Sequence, residues 1–171
     1  MSKYIKLIIF ILILVLISAA IVFIDSSIDN MNKVMPEISE GIVNGDNDYN
    51  EAVNLVNDKN YQESMNKAIS AGDNYNRSLK GLYNLENNFT SDVHKVHKSY
   101  INNTIDELKL KLQAVDSLKE AIDCFESHYN YTGTQYAYEA NDYMDHSLYY
   151  RDARDSLVSE NPDLFKDNFI I

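Results

Sequence analysis

The sequence predicts an all-α protein in which an N-terminal transmembrane helix continues into an extracytoplasmic up-down-up-down four-helix bundle with long helices. Three observations predict this fold. Residues 7–24 are apolar except for Ser18. Beyond residue 25, apolar residues return every three or four positions through four successive segments, as in amphipathic helices. The 171 residues include only 5 glycines and 2 prolines, too few for the many turns of an all-β fold.

The first element is the apolar leading segment. As a helix, residues 7–24 would extend about 27 Å, close to the thickness of the hydrocarbon core of a bilayer. Lys3 and Lys6 precede the segment and Asp25 follows it, so the positive-inside rule places Met1 in the cytoplasm. We therefore expect residues 1–24 to be a single-pass anchor in the cell membrane. Residues 4–24 would contact lipid, and the rest of the chain would lie outside.

A cleaved signal peptide is the alternative for the same segment. Ser18, Ala19 and Ala20 are the small residues that a signal peptidase accepts after an apolar stretch. Cleavage near Ala20 would release a secreted helical protein. The uninterrupted apolar run up to residue 24 favours the uncleaved anchor.

Charge and cysteine content restrict the partners of the outer part. The net charge is −11, and it becomes −13 without Lys3 and Lys6 of the anchor. Such a surface repels phosphate backbones, so no nucleic acid partner is expected. Cys124 is the single cysteine, which excludes an intramolecular disulfide, and its apolar surroundings AIDCF predict a buried thiol, with an intermolecular bridge as the alternative.

The first outer helix is expected to run to about Asp58 with two interruptions. Pro36 should kink or restart it, and Gly45 in NGDND should stop it. Its predicted apolar positions recur every three or four residues: Ile28, Met31, Met35, Ile38, Ile42, Gly45, Tyr49, Ala52 and Val56.

The turn NDKN separates the first helix from the second, with Asn60 and Glu63 as a predicted capping box. The second helix should end near Phe89. The stretch AVNLVNDKNYQESMNKAISA resembles the helix-turn-helix centre of a tetratricopeptide repeat, with Tyr61 and Ala71 at typical positions and Ser64 in place of the usual alanine. The resemblance implies a tight helical hairpin.

Thr90 or Ser91 is predicted to cap the third helix, whose stripe runs from Ile101 to Tyr129. YNYTG then breaks the pattern, and Thr132 with Gln135 forms a second predicted capping box. The fourth helix must end before Asn161-Pro162. Its predicted apolar stripe consists of Ala137, Ala140, Met144, Leu148 and Leu157.

These boundaries divide the chain into an anchor over residues 1–24, a helical bundle over 25–161 and a tail over 162–171. The tail carries four large apolar residues: Phe165, Phe169, Ile170 and Ile171. They would either plug the open end of the bundle or enter the membrane interface.

His94 and His97 are the candidate metal ligands. Their three-residue spacing places them on one face of a helix, where a third ligand from another helix would complete a site. Lys95 and Lys98 flank the pair and oppose a cation, so packed or solvated histidines are the competing interpretation.

Seven tyrosines occur between residues 129 and 150. Because a tyrosine ring is apolar and its hydroxyl is polar, tyrosines are suited both to cores that are partly accessible to water and to binding surfaces. Tyr129, Tyr136 and Tyr143 are expected to pack. Candidates for contact with a protein or glycan at the cell surface are Tyr131, Tyr138 and Tyr150.

Asn88 and Asn130 are the sequons predicted to lie in connections between helices, and therefore the candidate glycosylation sites. Nothing in the sequence calls for a cofactor. The signatures of hydrolases, phosphate-binding loops and zinc proteases are missing, and the adjacent carboxylates Asp106 and Glu107 fall on a helix surface expected to face solvent. An enzyme is therefore not expected.

The leading functional hypothesis is a membrane-anchored surface helical-bundle protein with a structural or protein-interaction role, alone or as a homo-oligomer. The alternative from another class is an extracytoplasmic binding module that captures a small ligand or metal ion for a separate membrane partner. An apolar core favours the first hypothesis, whereas a buried pocket lined by polar groups favours the second.

Overall fold

The computed structural model describes residues 31–89 and 93–165. Four helices account for most of them: α1 over residues 31–57, α2 over Tyr61–Asn87, α3 over Lys95–Glu126 and α4 over Asn130–Glu160. A 3₁₀ turn, Pro162–Leu164, follows α4. The predicted all-α four-helix bundle is confirmed, and neither described range contains a strand.

The predicted anchor over residues 1–24 lies outside the described residues. Among the helices within 31–89 and 93–165, none is both long and apolar enough to cross a bilayer.

Consecutive helices are antiparallel. Ser64, near the start of α2, donates a hydrogen bond to the carbonyl of Ala52, near the end of α1. Ser78, in the second half of α2, donates a hydrogen bond to the carbonyl of Ile38, in the first half of α1. Arg154 late in α4 meets Glu107 in the first half of α3. The chain therefore runs up, down, up and down.

The interruptions expected in α1 are wrong, because the helix is continuous over residues 31–57. Pro36 lacks an amide hydrogen, but it lies on the exposed side of α1, where water can satisfy the freed carbonyl. Gly45 serves packing and does not end the helix. A Cβ atom there would lie 2.4 Å from the ring of Tyr75, so only glycine permits this approach of α2.

The α1–α2 and α3–α4 connections share one geometry. Lys59 and His128 adopt left-handed backbone conformations, with φ of 60° and 64°. In the first turn the amide of Lys59 bonds to the carbonyl of Val56, and that of Asn60 bonds to Leu55. The second turn repeats both bonds around His128. Each is a Schellman motif in which a residue with a side chain occupies the position that glycine usually fills.

The predicted N-terminal caps of three helices differ from the structure. Asn60 does precede α2, but its side chain bonds to Glu63 and does not cap the backbone. His94 caps α3, where Thr90 and Ser91 were expected; these two residues lie outside the described ranges. The break before α4 falls at His128, so Thr132 and Gln135 lie inside the helix and form no cap. The predicted end of α4 before Asn161 is confirmed.

The tail turns back onto the end of the bundle. Phe165 is buried, and its ring centroid lies 5.3 Å from that of His97 and 5.2 Å from that of Tyr100. Of the two roles considered for the tail, Phe165 therefore takes the packing role. The other three apolar tail residues lie outside the described ranges: Phe169, Ile170 and Ile171.

Candidate functional site

A chain of buried ion pairs crosses the middle of the bundle. The ammonium of Lys111 lies 2.8 and 2.9 Å from the two carboxylate oxygens of Asp46, and 2.9 Å from Oε1 of Glu107. The second oxygen of Glu107 lies 2.8 Å from Nη1 of Arg154. These ion pairs therefore join α1, α3 and α4. The two positive charges of the ion-pair chain balance its two negative charges.

The inner members of this chain are removed from water. The side chains of Glu107, Lys111 and Arg154 are 1%, 4% and 4% exposed, whereas that of Asp46 is 39% exposed at the outer end. Desolvating three charged groups is costly, and only close pairing in the interior offsets the cost. The expectation that Glu107 faces solvent is therefore wrong: it lies at the centre of the bundle.

Tyr75 of α2 completes the polar layer. Its hydroxyl donates a hydrogen bond of 2.6 Å to Asp46, and its ring lies 5.6 Å from the ammonium of Lys111. Burial, followed by the nearby charge of Asp46, raises the pKa of Tyr75 well above its ordinary value. The residue therefore stays neutral and remains a hydrogen-bond donor.

The outer end of the layer opens into a cleft between α1 and α4. Its volume is about 180 Å³. Polar groups line one side, and apolar side chains of α4 line the other. The lining residues are Asp46, Tyr49, Asn50, Tyr75, Lys111, Met144, Leu148 and Arg151.

Tyr49 lies at the inner wall of this cleft. It is 4% exposed, and its hydroxyl has no hydrogen-bond partner among the described residues. Burial raises the pKa of Tyr49 to about 12. An unpaired buried hydroxyl is destabilising, so Tyr49 lowers the stability of the bundle at this point.

The same ring borders a second, larger space. A cavity of about 260 Å³ extends from Tyr49 along α1 and α4 towards Phe125. The apolar residues on its walls include Val53, Leu118 and Ala140. Two cavities therefore lie along the contact of α1 with α4.

Asp48 forms a separate polar cluster at the α1–α2 seam. It accepts hydrogen bonds from Lys67, Ser70 and Asn74 of α2, at 3.1, 2.7 and 3.2 Å. Partial burial pushes its pKa upward, but the bonds from Ser70 and Lys67 outweigh that effect and the pKa is lowered. These three hydrogen bonds satisfy the Asp48 carboxylate within the bundle.

α4 packs through residues at strict seven-residue spacing, ending in Arg154 of the ion-pair chain. The buried positions are Gly133, Ala140, Ser147 and Arg154. Small side chains there let α3 and α4 approach closely. A Cβ atom at Gly133 would lie 2.9 Å from the ring of Phe125.

The opposite face of α4 carries exposed tyrosines. Tyr131, Tyr138 and Tyr149 are 78%, 71% and 72% exposed, and their spacing of seven and eleven residues aligns them along the helix. Exposure is as expected for Tyr131 and Tyr138. Tyr150 was expected to be exposed, but it is half-buried and Tyr149 is exposed instead. Tyr129 was expected to pack, but it is exposed.

The histidines are placed differently from one another. His94 precedes α3, and its Nδ1 accepts a bond from the amide of Val96, whereas Nε2 of buried His97 lies 2.8 Å from the carbonyl of Leu164. Their ring centroids are 6.3 Å apart. Among the described residues no group of three metal-ligating side chains forms, so a metal at this pair stays a prediction without a third ligand.

The glycosylation candidates Asn88 and Asn130 are both exposed, the first at the end of α2 and the second at the start of α4. Cys124 is half-buried, less enclosed than expected, and it has a free thiol.

Sequence reasoning missed the ion-pair chain, although a signal was present. Glu107 and Lys111 fall in phase with the buried positions Thr104, Ala114 and Leu118 of α3. Two opposite charges four residues apart within a core stripe indicate a buried pair. Their partners could not be found this way, because the register between helices decides them.

No known protein family, curated protein or solved structure matches this chain. Its function is therefore inferred from the geometry of the bundle.

Proposed function

We propose that this protein is a membrane-anchored, non-enzymatic interaction module whose bundle is displayed at the cell surface and whose contact surface is the outer face of α4. The observation that carries the proposal is the row of three exposed tyrosines, Tyr131, Tyr138 and Tyr149. Together with Tyr129 they are the most exposed large hydrophobic residues in the described ranges. Exposed aromatic residues are enriched in the centres of protein interfaces.

The charge around this face supports a partner with a basic surface. α4 contains six acidic residues, Glu139, Asp142, Asp145, Asp152, Asp155 and Glu160, against Arg151 and the buried Arg154. Asp142 and Asp145 lie on the same side of the helix as the tyrosines. An aromatic centre rimmed by carboxylates favours a protein with exposed lysine and arginine residues.

The proposed placement rests on residues 1–24 as a single transmembrane helix with a cytoplasmic N-terminus, and on residues 25–161 as the extracytoplasmic bundle. Protease added to intact cells should then digest the bundle, and alkaline extraction should leave the chain in the membrane. A bundle protected in intact cells would contradict the orientation. A mature chain beginning after Ala20 and found in the medium would contradict the anchor.

Site-specific photo-crosslinking on intact cells tests the contact surface. A photoreactive phenylalanine analogue would replace Tyr138 in the full chain or, as a control, Tyr83 on α2, which is 37% exposed. Position 138 should give a discrete adduct that disappears when Tyr131→Ser and Tyr149→Ser are added to the same chain. Equal adducts from both positions, or an adduct unaffected by the two flanking serines, would argue against this surface. An adduct of twice the chain's mass would identify a second copy as the partner.

The second candidate function is capture of a small ligand for a separate membrane partner. The cleft between α1 and α4, which both polar and apolar side chains line, favours this function. The two functions use different faces of α4, so one chain can carry both.

A further inference from the structure

α4 buries far fewer of its residues than the helix on which it packs. Four of its 31 residues are buried, whereas α3 buries 15 of 32. The four recur every seven residues, the spacing by which one helix packs lengthwise along another. α4 therefore packs along a neighbouring helix on one side only, through Gly133, Ala140, Ser147 and Arg154.

The opposite side of α4 repeats the same spacing with exposed residues. A step of seven residues returns to the same side of an α-helix with a drift of about 20°. From Tyr131 to Asp152 the row is about 31 Å long. A narrow row of this length matches the side of a second helix. Its six members recur at steps of three, four or seven residues and form the outer seam of α4: Tyr131, Tyr138, Asp142, Asp145, Tyr149 and Asp152.

The charge of the outer seam defines what such a helix must carry. Asp142 lies 3.3 Å from Nδ1 of His146, and both side chains are largely exposed. Asp145 and Asp152 form no ion pair within the described residues. Lysine or arginine at the opposing positions would pair with these carboxylates, and either cation also interacts favourably with the face of a tyrosine ring.

A second copy of this chain is a poor occupant of the outer seam. Two copies would bring the same three carboxylates to one contact, and each chain carries a net charge of −11. Like charges that face each other across an interface are destabilising. The outer seam therefore selects a partner of opposite charge.

We propose that a basic amphipathic helix of a partner protein packs lengthwise along the outer seam, as an additional helix of the bundle. Its apolar side chains contact the three tyrosines, and its lysine or arginine side chains pair with the three aspartates. This inference rests on the proposed contact surface of α4, and it adds the secondary structure, the charge and the direction of the partner's contact element.

Binding of a synthetic peptide to the full-length chain in nanodiscs of uncharged lipid tests the proposal. The probe is a fluorescent peptide of about four heptads, with leucine and lysine at the seam positions and alanine and glutamine elsewhere. The control peptide has the same composition, but its leucines and lysines are distributed around the helix. Empty nanodiscs correct for binding to lipid. Fluorescence anisotropy should show saturable binding of the patterned peptide, at least about tenfold tighter than binding of the control.

An exchange of charge locates the peptide on the outer seam. Asp142→Lys combined with Asp145→Lys should weaken binding of the lysine peptide at least about tenfold, and this chain should bind a peptide with glutamate in place of every lysine. Asp73→Lys combined with Asp116→Lys is the matched control, because it makes the same change of net charge at two exposed positions on α2 and α3. The control chain should lose less than about twofold in affinity and should not bind the glutamate peptide. The melting temperatures of both double variants separate lost binding from lost folding.

Four results would overturn the proposal. These are no saturable binding, equal binding of the patterned and control peptides, equal losses in the two double variants, or no binding of the glutamate peptide to the chain with exchanged charges. A discrete Tyr138 adduct on cells without peptide binding would retain the contact surface and exclude a basic helix as the partner. Peptide binding without any adduct on cells would instead contradict the proposed function.

Discussion

The two helical hairpins turn in the same way but are closed by different interactions. Both connections are Schellman motifs with a left-handed residue, Lys59 in one and His128 in the other. The α1–α2 seam is closed by small residues, by serine hydroxyls bonded to backbone carbonyls and by the partly exposed cluster around Asp48. The α3–α4 seam depends on a buried ion pair. A shared turn therefore does not dictate how the helices beyond it pack.

The α1–α2 seam brings two backbones close together. Ser64 and Ser78 donate to the carbonyls of Ala52 and Ile38 at 2.8 and 3.0 Å. At Gly41 a Cβ atom would lie within 2.3 Å of the hydroxyl of Ser78. Such a seam tolerates the loss of one hydrogen bond better than the addition of one carbon atom, since a packed interface has no spare volume.

The α3–α4 seam combines small residues with the Glu107–Arg154 pair. Removing Glu107 leaves Arg154 buried without its close carboxylate, which costs more than any single bond at the other seam, whereas Glu107 still has Lys111 if Arg154 is removed. The α3–α4 hairpin is therefore sensitive to loss of charge, whereas the α1–α2 hairpin is sensitive to added volume.

The largest effect is expected at the ion pair. Glu107→Leu should lower the free energy of unfolding by about 3–5 kcal/mol, because Arg154 is left buried without its carboxylate. Adding Arg154→Met should recover much of this loss, since an apolar pair of similar volume fills the seam. Urea unfolding followed by circular dichroism measures both variants. A double variant as unstable as the single one would show that the charges themselves do not decide the stability of this seam.

Added volume at the α1–α2 seam should have the next largest effect. Gly45→Ala places its Cβ 2.4 Å from the ring of Tyr75, and we expect a loss of about 1–3 kcal/mol. Gly72→Ala is the matched control, because its Cβ would meet Val115 at an ordinary 3.4 Å. The control should gain up to about 1 kcal/mol from the helix propensity of alanine. Equal effects of the two substitutions in thermal unfolding would refute close packing at Gly45.

The carboxylate of Asp48 should make the α1–α2 seam dependent on pH. Its pKa lies below the ordinary 3.8 in the folded chain, so its contribution to stability is complete above pH 3.8 and disappears as the pH falls through the lowered value. Asp48→Asn should cost about 1 kcal/mol at pH 7 and almost nothing near pH 2. Urea unfolding at both pH values, with the exposed Asp73→Asn as control, measures the difference. A cost that persists at pH 2 would assign the effect to shape and not to charge.

The smallest effect is expected at the turns. Glycine adopts the left-handed conformation without the steric cost that a side chain incurs, so Lys59→Gly and His128→Gly should each raise stability by about 0.5–1 kcal/mol. Similar gains at both positions would confirm that the hairpins share one turn. A gain at only one of them, measured by thermal unfolding, would restrict the motif to that hairpin.

The apolar rhythm of α1 illustrates what can be predicted from the sequence. Of the nine predicted positions, the seven from Met31 to Ala52 are buried, because an apolar stripe on a helix faces the core; Val56 is half-buried and Ile28 lies outside the described residues. In α3, five of the eight predicted positions are buried, but they are only five of the fifteen residues that this helix buries. The α4 stripe was not predicted, and only Ala140 belongs to both the predicted and the observed set. Glycine, alanine and serine give little hydrophobic signal, although their small size is what lets α3 approach.

By itself, the sequence determined the number of helices, their antiparallel order and the position of the first turn, since local periodicity and short connections suffice for these features. The tertiary structure alone decided that Gly45 would be a contact and not a stop, and that Asp46, Glu107, Lys111 and Arg154 would meet in one layer. These features depend on how four helices slide and rotate against one another. The cleft at Tyr49 arises from the same register, because it is the space that α1 and α4 leave between them.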